Sequence, residues 1–124
     1  MASGNITIKP RLLWKNPTPS ASFAAQELSL PSNNCSFFLV IPSHQSNDQS
    51  IFQATIVVPG LGGGLFCTQG KFNGYIGEMS AIIRRITAST QTSITFETAN
   101  VIDKNGTVYT DRDDLAIPYE IYGI

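Results

Sequence analysis

The stretch Thr92-Ser93-Ile94-Thr95-Phe96 decides the fold, because apolar and β-branched side chains alternate in it with small polar ones. Alternation with period two is the pattern of a strand with one buried face. A few residues later, Asn105-Gly106 separates Val101-Ile102 from Val108-Tyr109. Both central positions of the tightest hairpin turn require positive φ, which Asn-Gly provides. This part of the chain is therefore predicted to form an antiparallel hairpin.

Strand patterns continue on both sides of this hairpin, with Gly and Pro at short intervals as in all-β domains. The further predicted strands are residues 5–9, 12–14, 26–30, 36–41, 51–58 and 116–122, with shorter pieces around Phe66 and residues 72–76. Residues 36–41 are continuously apolar, which indicates a strand covered on both faces. No repeat or linker divides the chain. We expect one domain over residues 1–124, an antiparallel β-sandwich or jelly roll of eight to ten short strands, with residues 1–10 as a strand or attachment arm.

One segment is ambiguous by pattern. Met79, Ile82, Ile83 and Ile86 follow the spacing of an amphipathic helix. The chain then continues into Thr87-Ala88-Ser89-Thr90, which is poor helix material. The pattern leaves open whether Ala81 to Ala88 is strand or helix.

Composition limits the function classes. Of 124 residues, 42% are apolar and only 14% are charged, and the net charge is −1. The eight Lys and Arg form no basic stripe, so nucleic-acid binding is disfavoured. The one basic doublet, Arg84-Arg85, is predicted to lie on a solvated strand. The longest apolar runs are far too short to span a bilayer, so no membrane insertion is expected.

The N-terminus and the cysteines bear on where the chain is made. Met1-Ala2-Ser3-Gly4-Asn5 lacks the basic start and apolar run of a signal peptide, so we expect synthesis in a cytoplasm. Cys35 and Cys67 are then expected to be reduced and to behave as small hydrophobic residues. A disulfide between them is the alternative.

No residue pattern indicates catalysis. His44 is the single histidine, and neither cysteine completes a triad or a zinc site with it. Gly60-Leu61-Gly62-Gly63-Gly64 lacks the Lys and Ser/Thr that follow a phosphate-binding loop. Asp111-Arg112-Asp113-Asp114 lacks the spacing of a calcium loop and is predicted to be a solvated turn. We therefore expect no enzyme, no cofactor and no metal.

Five aromatic residues are candidates for a ligand site or a subunit interface. Exposed aromatic rings can stack on sugars, but aromatic residues are also ordinary members of cores and interfaces. The core or interface role is the preferred interpretation, with a sugar platform as the alternative. The candidates are Trp14, Tyr75, Tyr109, Tyr119 and Tyr122.

Two blocks of sequence resemble a module of bacteriophage virion proteins. The first is Leu12-Leu13-Trp14-Lys15-Asn16-Pro17-Thr18-Pro19-Ser20-Ala21-Ser22-Phe23-Ala24-Ala25-Gln26, and the second is Ile117-Pro118-Tyr119-Glu120-Ile121-Tyr122-Gly123-Ile124. The resemblance is to tail-fibre, head-fibre and minor structural proteins. It implies an extended conformation for Ala81 to Ala88, and it transfers no catalytic residue.

The resemblance implies a fibre tip or a capsid or tail decoration that contacts the host cell surface. The expected partners are further copies of this chain, with a trimer favoured, together with other virion proteins and host surface carbohydrate. The low charge and abundant small polar residues suit sheets that pack against copies of themselves. The expected location is the virion, after synthesis in the host bacterial cytoplasm. The alternative function is a stand-alone carbohydrate-binding module.

Overall fold

A computed structural model describes residues 9–43, 49–52, 54–61, 65–72, 79–102 and 105–124. Within these residues the regular structure is entirely β-strand, in agreement with the predicted all-β fold. The strands, in chain order, are β1 (Arg11–Lys15), β2 (Gln26–Ser29), β3 (Phe38–Pro42), β4 (Gln49–Phe52), β5 (Thr55–Val57), β6 (Leu65–Phe72), β7 (Met79–Ser89), β8 (Ser93–Ile102), β9 (Val108–Tyr109) and β10 (Pro118–Gly123). Of the strand predicted over residues 5–9, only Lys9 is described.

The strands form two antiparallel sheets that pack as a sandwich. The smaller sheet has the order β1-β10-β3-β5, and the larger has the order β2-β8-β7-β6-β4 with β9 also paired to β8. Side chains from both sheets meet in one apolar core, whose fully buried members include Phe38, Val40, Ile94, Phe96 and Ile121. Burying these faces against each other supplies the main driving force for folding.

Two predicted segments matter for the fold, and the structure confirms one and corrects the other. Residues 79–89 form the strand β7, so the extended conformation implied for Ala81 to Ala88 is confirmed. The single strand predicted over residues 51–58 is wrong, because it is two strands, β4 and β5, that belong to different sheets. The chain passes from one layer of the sandwich to the other between them, and apolar content alone does not mark such a crossing.

The predicted hairpin forms between β8 and β9. Val101 pairs with Tyr109 and Ile102 with Val108. The tight two-residue turn expected at Asn105-Gly106 is not the one observed, because five residues connect Ile102 to Val108 and only Gly106 of the two has a positive φ, at 79°. Glycine adopts this conformation without a Cβ clash. The hairpin places two exposed residues of β9 beside the edge of β8.

The prediction that Arg84 is solvated is wrong, because its side chain is completely buried. In β7 the residues Ile82, Arg84 and Ile86 point towards the core, while Arg85 is exposed as predicted. Burying a guanidinium requires partners for its donors. The Arg84 donors reach five backbone carbonyls, those of Phe23, Glu97, Asp113, Leu115 and Ala116, at 2.8–3.3 Å.

A β-bulge in β8 helps to make this arrangement possible. Arg84 lies opposite Ala99 and Ile86 lies opposite Phe96, so two residues of β8 face one of β7. The extra residue disrupts the regular ladder, as bulges do. The carbonyl of Glu97, within this bulge, accepts a hydrogen bond from Arg84 Nη1 at 2.8 Å.

The N-terminal and C-terminal blocks lie side by side. Strand β1 pairs with β10, and the buried residue Asn16, directly after β1, extends the contact between the two blocks. The backbone N–H of Asn16 donates to the Tyr119 carbonyl at 2.8 Å, and its Nδ2 donates to the Pro118 carbonyl at 2.9 Å. Its Oδ1 accepts from the Thr18 N–H at 2.8 Å, which fixes the turn into the proline-rich loop, residues 16–25 between β1 and β2. The two blocks therefore form one structural unit.

Candidate functional site

The structure places the five candidate aromatic residues in different parts of the molecule. Trp14 is half-buried and packs edge-on against Phe23, with ring centroids 6.1 Å apart. Tyr109 is exposed on β9 of the larger sheet. Tyr119 and Tyr122 lie on β10 of the smaller sheet, and Tyr75 lies outside the described residues. No single platform of stacked rings is formed by the four that are described.

Tyr119 lines a surface cleft. The cleft has a volume of about 320 Å³ and is bordered by Pro19, Ser20, Ser43 and Tyr119. The Nζ of Lys15 lies 5.7 Å from the centroid of the Tyr119 ring, a cation–π contact. The Ser43 hydroxyl donates to the Pro19 carbonyl at 3.0 Å, which holds the proline-rich loop against the end of β3. The cleft is thus bordered by one aromatic residue and two serines, with Lys15 placed over the Tyr119 ring.

Tyr122 lies on the outer face of the smaller sheet, on the same strand as Glu120. Its hydroxyl donates to Oε2 of Glu120 at 3.0 Å. This hydrogen bond, followed by desolvation, raises the pKa of Tyr122 above its ordinary value, because losing the phenol proton would place an anion beside a carboxylate. Tyr122 therefore acts as a neutral hydrogen-bond donor.

A row of apolar and aromatic side chains crosses the outer face of the smaller sheet. The register pairs Leu12 with Tyr122, Tyr122 with Leu39, and Leu39 with Ile56. Opposed residues in an antiparallel ladder project from the same face. Leu12 and Ile56, at the two ends of this row, are 46% and 55% exposed. We call these four residues the outer row.

The outer row corrects the prediction for residues 36–41. Phe38 and Val40 of β3 are fully buried in the sandwich, whereas Leu39 and Ile41 are only half-buried. The larger sheet covers the inner face of β3, and the outer-face residues Leu39 and Ile41 keep part of their surface exposed. An antiparallel sheet normally presents polar residues on a face that remains in water. An apolar outer face is typical of a surface that contacts another molecule.

A groove runs along the outer face of the larger sheet. It has a volume of about 290 Å³ and is bordered by Ile83 and Arg85 of β7, by Glu97, Asn100 and Ile102 of β8, and by Val108 of β9. Its isoleucine and valine side chains are aliphatic, whereas Arg85 adds a cation and Glu97 an anion. Sequence reasoning missed this groove because its walls come from three strands whose pairing the patterns do not reveal.

The predicted solvated turn at Asp111-Arg112-Asp113-Asp114 is solvated only in part. Arg112 and Asp114 form an exposed ion pair with an N–O distance of 3.0 Å. This hydrogen bond lowers the pKa of Asp114 and raises the pKa of Arg112. Asp113 instead accepts a 2.6 Å hydrogen bond from the Thr98 hydroxyl, and its carbonyl accepts one from the Phe23 N–H at 2.8 Å. The turn is therefore anchored to β8 and to the proline-rich loop.

The other candidates for chemistry offer no assembled site among the described residues. Cys35 is a half-buried free thiol. His44 and Gly62, Gly63 and Gly64 lie outside the described residues, as does the side chain of Cys67. No cluster of three or more His, Cys, Asp or Glu that could hold a metal ion occurs in the part of the chain that is described. No helix in that part is long and apolar enough to cross a membrane.

Comparison of the chain with protein-family models, with curated proteins and with solved structures finds no match. The functional argument therefore rests on the residues and on their arrangement.

Proposed function

We propose that this chain is a structural module of a bacteriophage virion, a fibre tip or a capsid or tail decoration that self-assembles and contacts the host cell surface. Its expected assembly is a homo-oligomer, with a trimer favoured, attached to other virion proteins. The proposal assigns it to the virion, after synthesis in the host bacterial cytoplasm. It assigns no catalytic residue and no cofactor, because the proposed role is binding through protein surfaces.

The observation that carries the proposal is the outer row. Leu12 and Ile56 are exposed at opposite edges of a sheet, and between them Tyr122 and Leu39 complete an apolar band across all four strands. Burying a fully exposed Leu or Ile contributes about 1.5–3 kcal/mol, and Leu12 and Ile56, about half exposed, would each contribute roughly half of that. A face of this composition favours association with another protein surface.

The packing of the two blocks gives further support. The blocks that resemble the virion module supply the paired strands β1 and β10, which are two of the four strands of the smaller sheet. Asn16 and Arg84 tie the loops beside these strands to the sandwich. The blocks therefore contribute Leu12 and Tyr122 to the outer row, whereas Leu39 and Ile56 come from β3 and β5.

Light scattering coupled to size-exclusion chromatography tests the assembly. We expect the wild-type chain at micromolar concentration to have three times the 13.4 kDa mass of one chain. Ile56→Asp places a charge in the outer row and is expected to lower the measured mass. Asn34→Asp adds the same charge at an exposed loop position and is the matched control. A wild-type chain that remains monomeric would count against the proposal.

A second candidate function is carbohydrate binding at the Tyr119 cleft. One aromatic ring beside hydroxyl groups is a common arrangement in sugar sites, where the ring packs on the sugar and the hydroxyls bond its polar groups. The cleft of Tyr119, Ser20 and Ser43 offers this combination. The two functions are compatible, because the tip of a fibre can bind a surface polysaccharide.

Titration with cell-wall polysaccharide fragments separates this candidate from simple assembly. We expect Tyr119→Ala to abolish any binding, because it removes the ring from the cleft. Tyr109→Ala removes an exposed ring from the other sheet and serves as the control. Equal loss in both variants, or no binding by the wild-type chain, would exclude the cleft as a sugar site.

A further inference from the structure

The buried polar side chains of the described residues all bind the backbone around the Tyr119 cleft. Burying a polar group costs free energy unless it finds hydrogen-bond partners, so these side chains mark where the backbone is fixed most firmly. Each of them donates to carbonyls of the proline-rich loop or of residues 113–118, which lead into Tyr119. The cleft is therefore held in one shape before a ligand arrives. The buried side chains are Asn16, Ser43 and Arg84.

Polar groups of the residues that border the cleft remain available to a ligand. In the part of the chain that is described, the hydroxyls of Ser20 and Tyr119 form no hydrogen bond. The Ser43 hydroxyl donates its proton to the Pro19 carbonyl and keeps its oxygen lone pairs as acceptors. A few convergent polar groups beside an aromatic ring are typical of small-molecule sites. Because the walls are already fixed, little conformational freedom is lost when a ligand binds.

Lys15 supplies a positive charge at the same place. Its side chain is exposed, and its Nζ lies 5.7 Å from the centroid of the Tyr119 ring. Glu120 is its partner in the register of β1 with β10, but the Glu120 carboxylate accepts the hydrogen bond of Tyr122 instead. Among the described residues Lys15 forms no ion pair. The proline-rich loop beside it carries no charged residue that would neutralise the ammonium group.

Building on the carbohydrate candidate proposed above, we infer that the cleft binds a sugar that carries an anionic group, a carboxylate or a phosphate. The anionic group pairs with Lys15, while sugar hydroxyls exchange hydrogen bonds with Ser20 and Ser43. The Lys15 ammonium lies over the ring on which a neutral sugar would stack, so a ligand that pairs with this charge gains an interaction that a neutral sugar lacks.

The size of the cleft agrees with a single sugar unit as the ligand. Its volume of about 320 Å³ lies at the lower end of the range of about 300–1,000 Å³ found for small-molecule sites. The cleft therefore has room for one sugar ring with its substituent. A longer polysaccharide would place one anionic unit in each cleft and extend from it over the surface.

NMR titration of the isotopically labelled chain with single sugars tests the inference. Glucuronate and galacturonate carry a carboxylate, glucose 6-phosphate carries a phosphate, and methyl glucoside and methyl galactoside are the neutral counterparts. We expect at least one anionic sugar to bind about three- to five-fold more tightly than its neutral counterpart, the gain that one exposed ion pair provides. The amide signals of Ser20, Ser43 and Tyr119 are expected to shift. The two kinds of anion show which group the cleft prefers.

A matched pair of variants shows whether Lys15 supplies the preference. Lys15→Met removes the charge, keeps a long side chain and is expected to remove the preference for anionic sugars. Lys9→Met makes the same change at another exposed lysine and is expected to keep the preference. Raising the salt concentration should weaken the binding of the anionic sugars more than that of the neutral ones, because salt screens the ion pair.

The outcomes separate this inference from the carbohydrate candidate on which it rests. If no sugar binds, both fail. If neutral sugars bind as tightly as anionic ones, or if Lys15→Met keeps the preference, the anionic ligand is wrong while the sugar cleft stands. If inorganic phosphate binds as tightly as glucose 6-phosphate, the cleft recognises an anion without its sugar, and the inference is also wrong.

Discussion

Replacing Arg84 with methionine removes the hydrogen bonds that its guanidinium donates to five backbone carbonyls, while keeping a long side chain in the core. Two of the accepting carbonyls, those of Phe23 and Ala116, take part in buried hydrogen bonds, and the other three are partly buried. A buried acceptor left without a partner costs about 1–3 kcal/mol. Taking the middle of that range for the two buried carbonyls gives a loss of about 4 kcal/mol. This is a large share of the 5–15 kcal/mol by which a domain is ordinarily stable.

Urea unfolding followed by tryptophan fluorescence measures this loss. Trp14 is the single tryptophan, and its ring packs on Phe23, whose carbonyl accepts from Arg84. Arg85→Met is the matched control, because the neighbouring side chain is exposed and its loss should change the free energy of unfolding by less than about 0.5 kcal/mol. A loss below about 1 kcal/mol for Arg84→Met, or equal losses in the two variants, would refute the structural role given to Arg84.

Two further predictions concern stability. Gly123→Ala is expected to lower the free energy of unfolding in urea by about 1–3 kcal/mol, because its Cβ would overlap Cys35 Sγ. Adding Cys35→Ala should recover part of this loss. No recovery in the double variant would contradict the overlap with Cys35 as the cause. The lowered pKa of Asp114 means that its pairing with Arg112 stabilises the fold above the ordinary pKa, about 3.9, and that this contribution disappears as pH falls through the lower folded value. Both side chains are well exposed, so Arg112→Ala should cost under about 1 kcal/mol at pH 7, and the cost should shrink as the pH is lowered through the acid range. A cost that does not change with pH would argue against this pairing.

The sandwich could be predicted because strand alternation is a local property. Residues 93–96 of β8 alternate as the pattern predicts, and the bulge after Phe96 then shifts the alternation by one residue, so that Ala99 and Val101 are the next buried positions. The positive φ of Gly106 agrees with the hairpin predicted from Asn105-Gly106. Which strands become neighbours was not predictable in the same way, because the pairing of β1 with β10 joins the two ends of the chain. Such pairing depends on packing between residues far apart in sequence.

The role of Arg84 was hidden by the ambiguity of its segment. Met79, Ile82, Ile83 and Ile86 match helical spacing, and a helical reading does not place Arg84 on a buried face. Once the segment is a strand, Ile82, Arg84 and Ile86 share one face, and the charge between two buried isoleucines marks an unusual position. The carbonyls that satisfy it come from loops and a bulge, which no pattern in the sequence locates.

The candidate surfaces were predictable only in part. Continuous apolarity at residues 36–41 indicated that both faces of β3 are covered, and the structure covers the outer face of Leu39 and Ile41 incompletely. The aromatic residues were identified by type, but their distribution over two sheets depends on strand order. Tyr119 and Tyr122 share β10, whereas Tyr109 lies on β9.

Native mass spectrometry of the wild-type chain at micromolar concentration tests most directly whether its apolar surfaces serve association. The account predicts a dominant species of three chains, each of 13.4 kDa, that dissociates when a charge replaces Ile56. A single-chain species at every concentration, or an assembly whose mass does not respond to charges in either apolar surface, would contradict it.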